Sequence, residues 1–201
     1  AEAARATIQA MYDTVDEVGR VCEAEGVDAE FRMTGILSLA RGEGQVASVR
    51  SAHATYARLG FEAGNRLLDA RETSVRVKVE GVRAALHTPH SATVHPAKLA
   101  RGLARAVEAK GVQIYENTRV RRISAGASPL LEADGGQVRA RRSVVLATEA
   151  YLPKLPGYER DVLPMSSAIV LTEPLTAAQW EAIGWRGGGG LCSPALTVDH
   201  L

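Results

Sequence analysis

The sequence predicts a mixed α and β fold, and three observations carry that reading. A helix-period apolar stripe opens the chain. A helix followed by a short apolar run, the helix-to-strand step of βαβ units, occupies residues 96–117. After it, VRRISA, LLEADG and QVRARR alternate in polarity and are separated by turn residues, the pattern of a small antiparallel meander.

The elements follow in order. Ile8, Met11, Val15, Val18 and Cys22 recur every three or four residues, and Gly26 stands where a left-handed C′ residue closes a helix. VDAEFRMTGILSLARG predicts one or two strands between about residues 28 and 40. Residues 43–59 place Val46, Val49, His53 and Leu59 near helical spacing, while LLDARETSVRV reads as a short helix or turn. Residues 83–95 read as strand, turn and strand entry. Pro96 then suits a first helical turn, with Leu99, Leu103 and Val107 on one stripe and Gly111 as the stop. VQIYEN is expected as a strand, as is VVLAT within SVVLATEAYLP, whose uninterrupted apolar run suits a strand buried on both faces of a parallel sheet. Another strand is expected in VLPMSSAIVLTEPL, then a helix around TAAQWEAIGW, then a GGGG run at 187–190 that is mobile or a turn.

Composition narrows the function classes. The 201 residues are 46% hydrophobic, enough for one large domain or two modest ones. With 24 basic and 23 acidic side chains, the net charge of +1 exerts no general pull on nucleic acid or an anionic membrane. No apolar run reaches the length that spans a bilayer, so a soluble protein is expected. Cys22 and Cys192 lie far apart without CxxC or zinc spacing, which points to a reducing, cytoplasmic setting. The chain opens without an initiator Met or an N-cap and stops in the β-prone LTVDHL, so both ends read as cuts in a longer protein.

Several local patterns invite chemistry. GEGQVA, residues 42–47, satisfies G-x-G-x-x-G/A, but Glu43 would put negative charge inside a phosphate-cradling turn, and an ordinary strand-to-helix turn is the better reading. His87, His90 and His95 sit around Pro89 with no carboxylate or cysteine nearby, so hydrogen-bonding histidines are expected rather than metal ligands. Arg119, Arg121, Arg122, Arg139, Arg141 and Arg142 lack interleaved aromatics and are expected on a solvated sheet face. No G-x-S-x-G elbow occurs, and nothing supports a hydrolase.

The ordered set VHPAKLARGLARAVEAKGVQIYENTRVRRI, SVVLATEAYLPKLPG and LPMSSAIVLTEPL resembles the FAD-dependent oxidoreductases of the D-amino-acid oxidase type, the group of glycine, sarcosine and γ-glutamylputrescine oxidases. The resemblance covers essentially the whole chain and is most specific over residues 94–174. It implies part of a Rossmann-like FAD-binding domain carrying the meander, plus an antiparallel-sheet substrate domain. Residues 1–26 and 94–150 would belong to the first, residues 27–93 and 151–201 to the second.

What the resemblance implies about sites goes residue by residue. Thr118 and Val120 match a T-x-V stretch whose valine main chain lies beside the adenine. Ala147, Thr148 and Glu149 match an A-T-G-like turn near the FAD phosphates, with Glu149 departing from the usual Gly or Asn. A carboxylate there is unfavourable unless it turns away or pairs. His95, Tyr151 and Met165 are the expected residues facing the substrate cleft. The implied activity is oxidation of the C–N bond of a small amine or amino acid by hydride transfer to FAD, which needs no side-chain acid or base. The family's N-terminal G-x-G-x-x-G segment and its C-terminal substrate segment would lie outside the sequence, so the chain alone is expected to be inactive. The alternative reading is a binding module that keeps the fold without the chemistry.

Overall fold

The computed structural model describes residues 1–185 and 187–194. They divide into two compact units, one of Ala1–Val112 with the segment from Pro174 onward, the other Gln113–Glu173.

The first unit opens with α1 (Glu2–Ala24). Its end is a Schellman motif: Val27 N–H bonds Cys22 C=O at 2.8 Å, Gly26 N–H bonds Glu23 C=O at 3.2 Å, and Gly26 has φ +63°. The stripe is slightly rotated from its expected course, because Met11 is exposed and Tyr12 takes the buried place. The short β1 (Arg32–Met33) pairs antiparallel with β5 (Ala92–Thr93).

A four-stranded sheet forms the body of this unit, in the order β3 (Arg66–Asp69), β4 (Ala84–Thr88), β2 (Ile36–Ala40), β9 (Gly190–Cys192). β4 runs antiparallel to both β2 and β3, and β9 is parallel to β2. Because side chains alternate across a strand, Leu37, Leu39, Ala85, Leu68 and Leu191 share one buried cluster with Val77, while Ala40, Ala84 and Leu86 pack on Val46 and Val49. The last two belong to α2 (Glu43–Arg58), the helix expected from its spacing. Strand β3 departs from the expectation of a helix or turn over LLDARETSVRV. Four residues are too few to show a period, and the ladder to β4 decides their conformation. The helix proper, α3 (Ala70–Arg76), starts at Asp69, whose carboxylate accepts from Glu72 N–H at 2.7 Å while Glu72 returns a bond to Asp69 N–H at 3.0 Å.

Helix α4 (Pro96–Ala109) has Pro96 in its first turn and ends in a second Schellman motif, with Val112 N–H on Val107 C=O at 3.1 Å and Gly111 at φ +89°. It joins α1 through a core of Cys22, Val27 and Ala29, onto which Val18 and Leu99 pack. Gly102 makes the approach possible, since a Cβ there would lie 2.1 Å from Val27 Cγ1. Helix α5 (Ala177–Ile183) is capped by Thr176 and closed by Gly184 at φ +64°. The GGGG run is more than a turn: Gly190 opens β9 and pairs with Ile36.

In the second unit, β6 (Val120–Ser124), β7 (Leu130–Ala133) and β8 (Gly136–Arg139) form the expected meander. The expected strands in VQIYEN, VVLAT and VLPMSSAIVLTEPL do not form. A strand requires a neighbour to take its main-chain groups, and none of these runs has one among the described residues. Their side chains are exposed instead, Val145 at 84% and Val170 at 90%, so VVLAT is not the buried strand its composition suggests.

Gly102→Ala is predicted to lower stability by about 1–3 kcal/mol through overpacking against Val27. Gly44→Ala, in open space near the start of α2, should instead raise it, by at most about 1 kcal/mol. Urea denaturation of both variants checks the pair, and equal effects would contradict the α1–α4 packing.

Candidate functional site

The turn at GEGQVA is occupied by the chain itself. Gln45 Oε1 accepts from the N–H groups of Arg41 at 2.8 Å and Gly42 at 3.1 Å, and Glu43 pairs with Arg83 at 2.6 Å. These bonds make it an ordinary strand-to-helix turn. The three histidines have separate roles. His87 lies on β4, His90 stacks on Tyr12 with centroids 4.1 Å apart, and His95 Nδ1 accepts from Lys98 N–H at 3.4 Å to cap α4. Among the described residues no cluster of three metal-ligating side chains occurs. On the meander, Arg121 pairs with Asp134 at 2.7 Å and Arg122 with Glu132, an exposed face with its charge balanced across strands. The Arg121 guanidinium holds the Asp134 carboxyl below its ordinary range.

Thr118 and Val120 stand at the entry to β6. Thr118 is exposed and its hydroxyl donates to Glu116 C=O at 2.9 Å, whereas half-buried Val120 pairs with Ala133 just before a ladder irregularity. Ala147 is exposed, and Thr148 and Glu149 lead into a 3₁₀ turn, Glu149–Lys154. Two features of this turn fit a bound phosphate-bearing group. Thr148 Oγ1 is shielded from solvent and has no hydrogen-bond partner among the described residues. Glu149 adopts φ +47° and folds its carboxylate back to accept from Ala150 N–H, so the carboxylate is held by its own turn. Such a left-handed non-glycine residue is strained and needs a reason. Thr148 thus has an unspent side-chain hydroxyl to offer an incoming oxygen.

The three expected substrate residues are not gathered into one cleft within a unit. His95 belongs to the first unit and spends Nδ1 on the α4 cap. Tyr151 and Met165 belong to the second, where they are 67% and 85% exposed, and Lys154 Nζ lies 4.7 Å from the Tyr151 ring centroid.

A cleft that the sequence reading missed lies in the first unit, with a volume of about 280 Å³. Leu37, Val75, Arg76, His87 and Trp185 line it, together with glycines around Gly35. Burial holds the His87 imidazole below the usual histidine range, and the positive charges of Arg76 and Arg66 push it further the same way. No spacing signal marks this cleft, because its walls come from β2, α3, β4 and the segment after α5.

Comparison with known proteins gives a consistent picture. The model of the family described as "FAD dependent oxidoreductase" (DAO) matches residues 1–195. A "Probable oxidoreductase OrdL" of Haemophilus influenzae is 32% identical over 127 residues, which are 57% of this chain and 28% of that protein. The "Gamma-glutamylputrescine oxidoreductase" of Escherichia coli is 27% identical over 75% of this chain and 35% of its own length. Among solved structures, glycine oxidase from Geobacillus kaustophilus has TM-score 0.59 at 24% identity, covering 77% of this chain and 40% of its own. L-proline dehydrogenase from P. horikoshii has TM-score 0.69 at 17% identity, covering 92% and 49%. These structural likenesses concern the fold. The chain spans about a third of the curated relatives named here.

Thr148→Val removes the unpaired hydroxyl at nearly constant shape. In the absence of FAD it is predicted to raise stability by about 1 kcal/mol in urea denaturation. A loss of that size would show that the hydroxyl is already bonded.

Proposed function

The chain belongs to the DAO family of FAD-dependent oxidoreductases, and from that premise we propose that it is part of a flavoprotein that oxidises the C–N bond of an amine or amino acid. The family match over residues 1–195 carries the reading. The E. coli relative, named for its action on gamma-glutamylputrescine, supports an amine or amino-acid substrate. The unpaired Thr148 hydroxyl supports a cofactor contact at the turn that the resemblance selects.

When bound, FAD supplies the redox chemistry by accepting a hydride from the carbon bearing nitrogen. The chain's own residues hold and orient. Val120 offers main-chain groups at the start of β6, small Ala147 leaves room for close approach, and Thr148 Oγ1 donates to an oxygen of the cofactor. Glu149, folded onto Ala150 N–H, keeps its carboxylate from opposing an anionic group. In this reading residues 1–26 and 94–150 contribute to the cofactor domain, residues 27–93 and 151–201 to the substrate domain. The packing of α1 on α4 supports grouping those two helices. Cys22, a free thiol buried in that packing, suits a reducing cytoplasm.

Anaerobic mixing of the flavin-loaded, full-length gene product with primary amines, N-methyl amino acids and α-amino acids tests the reaction class. Loss of the oxidised-flavin absorbance with members of one class is the predicted outcome. If no amine bleaches a flavin that dithionite reduces normally, the C–N reading fails while flavin binding stands.

A further inference from the structure

The cleft in the first unit has a composition that selects its ligand. Among the described residues, Arg76 and His87 are the only ionisable side chains on its wall, and no carboxylate lines it. Arg76 has no ion-pair partner among the described residues, whereas neighbouring Arg66 is paired with Glu72 at 3.5 Å. The remaining walls include Leu37, Val75 and the Trp185 indole, which is half-buried and also packs on the Leu37 cluster. Gly35 bounds the His87 side, where a Cβ would lie 2.8 Å from Nε2, so that part of the wall stays narrow and main-chain-lined. A volume of about 280 Å³ lies at the low end for small-molecule sites and excludes a dinucleotide.

We propose that this cleft binds a small organic monocarboxylate, its carboxylate held by Arg76 and His87 and its apolar body lying against Trp185, Leu37 and Val75. The guanidinium supplies a planar pair of donors matched to a carboxylate, and such charge-assisted bonds are the stronger kind. His87, kept neutral by burial and by the arginines, contributes one N–H without adding a second repelling charge beside Arg76. Val75, 73% exposed at the cleft wall, gains cover when an aliphatic body enters. All of these residues belong to the first unit, so the site is independent of the flavin reading.

The chain contains two tryptophans, Trp180 and Trp185, and their rings are 6.2 Å apart. A Trp180→Phe background therefore isolates the cleft tryptophan as a fluorescence reporter. Titrating the full chain with isocaproate at constant ionic strength is predicted to change Trp185 emission saturably in the millimolar range or below, while isocaproamide, the uncharged isostere, produces no saturable change. Arg76→Gln should weaken isocaproate binding by about tenfold or more, and circular dichroism checks that the variant folds. Arg76→Lys, which keeps the charge and loses the fork, should be weakened severalfold and serves as the reading if the Gln variant does not fold. Equal binding of acid and amide, unchanged affinity in the folded Arg76 variants, or no saturation with isocaproate would overturn the proposal.

Discussion

Main-chain pairing between β2 and β4 is the interaction on which the first unit depends. Five residues of each are in register, from Ile36 opposite Thr88 to Ala40 opposite Ala84. That register sorts the side chains to two faces and so creates both clusters at once. A slip of one residue would turn Leu37 and Leu39 onto the α2 side and bring Ser38 into the other core. Small residues matter as much as large ones here. Ala40 and Ala85 are fully buried beside leucines and valines, and this tight fit fixes where α2 and α3 lie. The cleft follows from the same register, since it places His87 on the face of Leu37, next to the end of α3 that carries Arg76.

The same need for a pairing partner separates what was legible in the sequence from what was not. Helices α1 and α4 were readable to within a residue or two because their stop signals are local: Gly26 and Gly111 both occupy the left-handed position of a Schellman motif. The meander was readable because its strands pair with sequence neighbours across short turns. VQIYEN, VVLAT and VLPMSSAIVLTEPL carry strand composition without a partner among the described residues, and composition alone supplies no hydrogen bonds. Strand β3 shows the converse. LLDARETSVRV reads as a short helix or turn, which holds from Ala70 as α3, whereas over Leu67–Asp69 the ladder to β4 overrides that local preference.

The candidate site divides along similar lines. Family resemblance selected Thr148 and Glu149, and the structure supplies each with a physical feature, an unpaired hydroxyl and a left-handed backbone, that no sequence pattern displays. It also gives His95 a capping role at the start of α4. Arg76, His87 and Trp185 went unread as a group because they are spread across more than a hundred residues and meet only after the sheet forms. In the sequence His87 stands in a spacing pattern with His90 and His95, yet its relevant neighbours are the arginines of β3 and α3.

The most direct test of the flavoprotein reading is an absorbance spectrum of the full-length gene product, purified without added cofactor. Bands of bound oxidised flavin, released as FAD on denaturation, are the predicted result. A colourless, well-folded protein that also fails to take up added FAD would contradict it.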